Sequence, residues 1–218
     1  MRRLTLSFAV LALACVTPGS PSSDALGLKE ALRIATERAV QSTSQTNGFL
    51  NDPKIRIGLP GALGKLAKAL RAVGMGSQVD ELELAMNRAA EKAAGEATPI
   101  FVDAISQMTF QDATGIVTGG DTAATDYFER TTSEPLRVRF QPIAEQAMQN
   151  VGLAKQYDQL VSRYTALPFA SKPKLDLPSF VTDRTLAGLF TVIGEEEKKI
   201  RTNPAARTTE LLRHVFGR

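Results

Sequence analysis

Apolar residues recur at three- and four-residue steps through most of this chain, and that spacing predicts helices. Leu28, Ala31, Leu32, Ala35 and Ala39 form the stripe of a first helix ending near Gln41. Residues 47–60 break the period. There Ile55, Ile57 and Leu59 alternate with charged or small residues, predicting a loop with at most one short extended segment. Pro60 suits the first turn of a second helix carrying Leu63, Leu66, Leu70 and Val73, stopped by Gly74 and Gly76. Ser77 with Asp80 predicts the start of a third, with an alanine-rich stripe through Leu82, Met86, Ala89, Ala93, Ala97, Ile100 and Ala104. Pro99 cannot donate to the Gly95 carbonyl and should kink or divide it.

Further on, Thr109 with Asp112 predicts a short helix ended by Gly119-Gly120, and Asp121 caps the next. Ser133 and Pro135 open a helix bearing Leu136, Phe140, Ile143, Ala147 and Val151, bent at Pro142 and ended by Gly152. Another helix is expected over Ala154 to Ala166, followed by a proline- and lysine-rich loop, Leu167 to Asp176. Asp176 caps a long helix with Leu186, Leu189, Phe190, Ile193 and Ile200, and Asn203-Pro204 caps a last one with Leu211, Leu212, Val215 and Phe216. The fold class predicted is all-α, a compact bundle of eight or nine helices without a repeat at solenoid spacing.

The N-terminus departs from this pattern. Arg2 and Arg3 precede an apolar run, Leu4 to Ala14, that is too short to span a bilayer and ends in small residues before Cys15, the one cysteine. The segment reads as an export signal. A cysteine directly after such a site also meets the requirement of bacterial lipoprotein processing, in which its thiolate accepts a diacylglycerol. Residues 1–15 are then a signal ending at a lipid-attachment cysteine, residues 16–25 a flexible Pro/Ser/Gly tether, and residues 26–218 a single helical domain. The alternative is an ordinary secretory signal cleaved after Ala14 or near Ser22 or Ala25. Val16, rather than aspartate, after the cysteine favours the outer membrane in Gram-negative sorting.

Charge and residue counts narrow the chemistry. Of 26 basic residues Arg2 and Arg3 belong to the signal, leaving 24 against 23 acidic ones, so nucleic acid is not an expected partner. His214 is the sole histidine and sits on a polar face near the C-terminus, which removes the His-dependent triads, di-iron bundles and His- or Cys-rich zinc sites. An all-oxygen cation site stays open but has no loop signature. No catalytic, cofactor or metal residue is therefore assigned. In the run Glu195 to Arg201, Glu195–Lys199 and Glu197–Arg201 have the spacing of a solvated ion-pair ladder. Glu196 falls between Ile193 and Ile200 on the apolar stripe, so it is the candidate buried carboxylate, with Arg207 its candidate partner. Asp112 to Gly115 and Gly119 to Thr122 form the densest cluster of turn residues, and the amides near Asp121 can cradle an anion at a helix start, in competition with Asp121 itself as a cap.

Five blocks resemble one family: NGF at Asn47 to Phe49, RIGLP at Arg56 to Pro60, MNRAAE at Met86 to Glu91, MTFQDATGIVTGGDTAAT at Met108 to Thr125, and the stretch Gly188 to Gly217. They are similar to the bacterial exported domain-of-unknown-function family 4197. The resemblance implies a single helical domain in the Gram-negative envelope and transfers no functional residue. The expectation from both lines is an exported, periplasmic protein, lipid-anchored to the outer membrane through Cys15, that binds an envelope protein or a cell-wall component. A carrier of a small apolar ligand such as a lipid is the alternative, and a hydrolase using carboxylates such as Glu196 or Asp112 is the third reading.

Overall fold

Alanine spacing sets the centre of the molecule. In the computed structural model, which describes residues 21–59, 61–72, 74, 76–150, 158–159, 161–162, 165, 176–207 and 213, seven α-helices are present among the described residues: α1 (Pro21–Ser44), α2 (Gly61–Ala72), α3 (Gly76–Ala94), α4 (Thr98–Gln107), α5 (Phe110–Thr118), α6 (Ala123–Asn150) and α7 (Leu177–Thr202). A 3-10 turn, Pro204–Ala206, follows. Ala85, Ala89, Ala90, Ala93 and Ala94 of α3 are all buried, and with no long side chain between them α3 packs against α1, α6 and α7. The helix α7 lies on α6 and α1, while α2 covers α3 and α5 spans α1 and α6. Phe101 is the aromatic hub: its ring meets Phe128 edge-on at 5.3 Å and Phe190 at 6.4 Å.

Helix boundaries follow local rules in most places. Pro99 divides the third predicted helix, α3 ending at Ala94 and α4 starting at Thr98. Thr109 and Asp112 form a reciprocal capping box: the Asp112 amide donates to Thr109 Oγ1 and the Thr109 amide to Asp112 Oδ2, both at 3.1 Å. Asp176 caps α7 by accepting from the Ser179 amide. At α3 the helix already begins at Gly76, so Ser77 lies inside it, and Asp80 pairs with Arg71 at 2.6 Å.

Other expectations need correction. The predicted boundary at Ser133 does not exist; α6 runs unbroken through Pro135 and Pro142. Each proline frees a carbonyl four residues earlier, at Thr131 and Val138, and all four residues lie on the exposed side, where water satisfies it. Thr131, Thr132 and Ser133 add back-bonds from their hydroxyls to the carbonyls of Tyr127, Phe128 and Glu129. Merging these segments is one reason the described count is seven rather than eight or nine. α1 starts at Pro21, inside the stretch expected as tether. No strand occurs among the described residues; the segment around Ile57 is held by a side chain instead.

The signal, Cys15 and residues up to Ser20 lie outside the described residues, as do His214, the last predicted helix apart from Arg213, and the loop before Asp176. Of the helix expected over Ala154 to Ala166, Asp158, Gln159, Val161, Ser162 and Thr165 are described, and all are helical.

Candidate functional site

The loop between α1 and α2 is built from the inside by two polar side chains of α3. Asn87, fully buried, receives the Ile57 amide at 2.9 Å and returns its own amide to the Ile57 carbonyl at 2.9 Å and the Glu83 carbonyl at 2.7 Å. The side chain thus stands in for a neighbouring strand. Glu91, one turn on, is buried and accepts the amides of Phe49 and Leu50 at 3.3 Å each. Arg88 compensates its charge at 2.5 Å and reaches on to Asn47 Oδ1 at 2.7 Å.

Close approach explains the residues at the turn. Asn47 has φ +70°, a conformation that asparagine tolerates better than most side chains. At Gly48 a β-carbon would collide with the backbone of Ser42 and Thr43, so only glycine lets the loop lie on the end of α1. Phe49 then drops fully into the core, where its ring occupies the space a side chain on Gly188 of α7 would need.

Between this loop, the end of α1 and α7 opens a polar cleft of about 430 Å³. Ser42, Gln45, Asn51, Asp52, Glu195, Glu196 and Lys199 are among its walls. Lys54 bridges the rim to Glu195 at 2.5 Å, and that carboxylate holds the Lys54 ammonium above its usual range. Asp52 Oδ1 accepts the Lys54 amide at 2.9 Å. Glu196 pairs with Lys199 at 2.7 Å. The cleft therefore offers amides, hydroxyls, the Asp52 carboxylate and the lysine-paired Glu195 and Glu196, with Pro53, Ile55 and Val192 between them, a set that can hydrogen-bond a polar ligand.

The candidate pair Glu196–Arg207 is not formed. Arg207 donates to the carbonyls of Ile200 and Arg201, closing the end of α7. The buried carboxylate is the next residue, Glu197, which sequence spacing had placed on a solvated ladder. It accepts the amides of Ala124 and Thr125 at 2.9 and 2.8 Å and the Thr125 hydroxyl at 2.7 Å, so the anion-cradling amides at the start of α6 are filled from α7. Arg201 neutralises it at 2.8 Å and ties it to the Ile116 carbonyl of α5. Glu195 likewise pairs with Lys54 rather than Lys199.

A second cleft, about 580 Å³, lies between α4, α5 and α6. Arg130 stacks over the Tyr127 ring at 5.6 Å and stands 3.5 Å from Asp112, while the Tyr127 hydroxyl donates to the Ala104 carbonyl at 2.8 Å. Burial raises the Tyr127 pKa above the usual phenol range. The Thr109 hydroxyl and amide hold Asp112 below the usual carboxylate range. An apolar cavity between α1, α6 and α7 has a volume of about 10 Å³, roughly one water-sized sphere and far below an acyl chain. The alanine-rich α3 and α7 pack directly on each other. No group of three or more His, Cys, Asp or Glu that could hold a metal occurs among the described residues.

Asn87 and Glu91 escaped sequence reasoning because they sit beside the apolar stripe, and Glu197 because its four-residue spacing to Arg201 reads as a solvated pair although it lies on the stripe, between Ile193 and Ile200. A signal existed for two of them: Asn87 and Glu91 are four apart and embedded in alanines, which are too short to shield a longer neighbour from the core side. No curated protein and no solved structure matches the chain. The model of a family described as protein of unknown function, DUF4197, matches residues 20–217, and the chain belongs to that family.

Proposed function

We propose that this protein is a periplasmic binding module, anchored to the outer membrane by a lipid on Cys15, whose working surface is the polar cleft between the α1–α2 loop and α7. The carrying observation is the placement of that cleft. Ser42 and Thr43 line it at the C-terminal end of α1, whereas the anchor precedes the N-terminal end. The helix rises 1.5 Å per residue, so the cleft stands about 30 Å along α1 from its tether end. Its hydrogen-bonding walls favour an envelope protein segment or a cell-wall component over an acyl chain, and its lysine-paired carboxylates favour binding over acid–base turnover. The export signal and the charge balance of the chain agree with this reading.

The experiment is capture from solubilised envelope by the lipidated protein, alongside Asn51→Ala and Glu195→Lys variants. Asn51 and Glu195 sit at the cleft without a role in the core. The expected result is a partner recovered reproducibly by the parent and several-fold less by both variants. Recovery of the same partner undiminished by both variants overturns the cleft assignment. No reproducible partner, together with turnover on a panel of cell-wall substrates, overturns the binding reading itself.

A further inference from the structure

The end of the molecule where α1 begins carries exposed apolar side chains. Leu26, in the second turn of α1, is 67 % exposed, and Phe110, the first residue of α5, is 64 % exposed. The helices α1 and α5 are in contact, and Lys29, one turn beyond Leu26, donates to the carbonyl of Ser106 at the end of α4, four residues before Phe110. Val117 continues the same face of α5 two turns on and is 39 % exposed. The helix α5 has a single charged residue, Asp112, and it is turned into the capping box and toward Arg130. So the α5 face presents phenylalanine, valine and threonine, and the charge beside Leu26 is Lys29, a cation that an anionic lipid headgroup tolerates.

We infer that this end, Leu26 with the Phe110–Val117 face of α5, rests in the interface of the lipid bilayer that holds the anchor, and so orients the polar cleft outward. The inference rests on the anchor reading above. Five residues separate Cys15 from Pro21, and an extended chain covers at most about 20 Å in that distance, so a lipid on Cys15 confines the start of α1 to the membrane surface. Two or three apolar side chains are too few to bind a bilayer from solution. On a short tether their effective concentration at the surface is high, and the same contacts decide which way the molecule lies. The opposite end cannot compete, because its surface is made of charged and amide groups that lose water on insertion. Val138 is exposed there, at 73 %, but is flanked by Arg137 and Arg139, which pair with Asp183 and Glu96.

The chain has no tryptophan and one cysteine, which makes the test direct. Phe110→Trp and Val138→Trp each introduce a single indole at an exposed site. Each variant, with the chain starting at Cys15, is coupled through that cysteine to maleimide-bearing lipid in vesicles of phosphatidylethanolamine and phosphatidylglycerol, with and without brominated phosphatidylcholine. This synthetic anchor separates the two readings, since mass analysis of Cys15 in exported protein decides native lipidation independently. The expected result is a blue-shifted Phe110→Trp emission quenched several-fold more by brominated chains than that of Val138→Trp. Equal quenching at both sites, or an unshifted Phe110→Trp on the vesicle, overturns the inference. So does a Phe110→Trp emission already shielded from iodide without vesicles, which assigns the face to a second copy of the chain.

Discussion

Glu196 and Glu197 are adjacent, yet Glu196 is 17 % exposed and pairs with the solvent-facing Lys199, whereas Glu197 is buried among backbone amides and Arg201. Removing a partner from a buried pair leaves an uncompensated charge, so Glu197→Ala is expected to lower stability by about 3 kcal/mol or more, whereas Glu196→Gln changes it by less than about 1 kcal/mol. Urea unfolding midpoints with unchanged slope check both values. Gly188 gives a prediction of opposite sign to its usual one. In an exposed helix interior Gly→Ala gains about 1 kcal/mol, but here the new methyl would lie 2.6 Å from the Phe49 ring and 3.2 Å from Ile55. Phe49 is fully buried and cannot swing aside, so Gly188→Ala is expected to destabilise by about 1–3 kcal/mol in the same measurement.

At the scale of the element, the start of α5 is a local device that was legible in full: Thr109, Asp112 and the glycines after Thr118 define its ends by rules that need no tertiary partner. Its pH dependence follows in sign. The Asp112 carboxyl is depressed by hydrogen bonds that exist only in the folded helix, so their contribution is fully present above the unfolded value of about 3.9 and is lost as pH falls through the lower folded value. Protection of the α5 amides, taken relative to intrinsic exchange, should therefore be steady from neutral pH to about 4 and fall below it relative to α4, and Thr109→Ala should bring Asp112 back toward its ordinary titration. Exchange that shows no such step removes the coupling. Ser133 with Pro135 has the local chemistry of a helix start, yet α6 runs through it. Prolines end a helix when the freed carbonyl is buried, and whether Thr131 and Val138 face water is decided by which face α3 and α7 cover.

For the whole molecule, one continuous apolar cluster draws residues from all seven described helices, from Leu28 through Phe101 and Phe128 to Ile193. Helices sharing one core lose their support together, so thermal unfolding should be a single transition with coincident helix and tyrosine signals; separated transitions would divide the core. Periodicity and cap chemistry by themselves determined the all-α class, the break at Pro99, the starts of α5 and α7 and the apolar faces, because these depend on residues within a few positions of one another. Only the tertiary structure decided which carboxylates are buried, that Asn87 and Glu91 hold the loop against α3, and that the loop and α7 enclose a polar cleft at the end of α1 away from the tether. Those outcomes depend on pairs 30 to 73 residues apart. Glu196 and Glu197 both fall between Ile193 and Ile200, and which of them is buried is fixed by what a distant helix covers, so local spacing does not separate them.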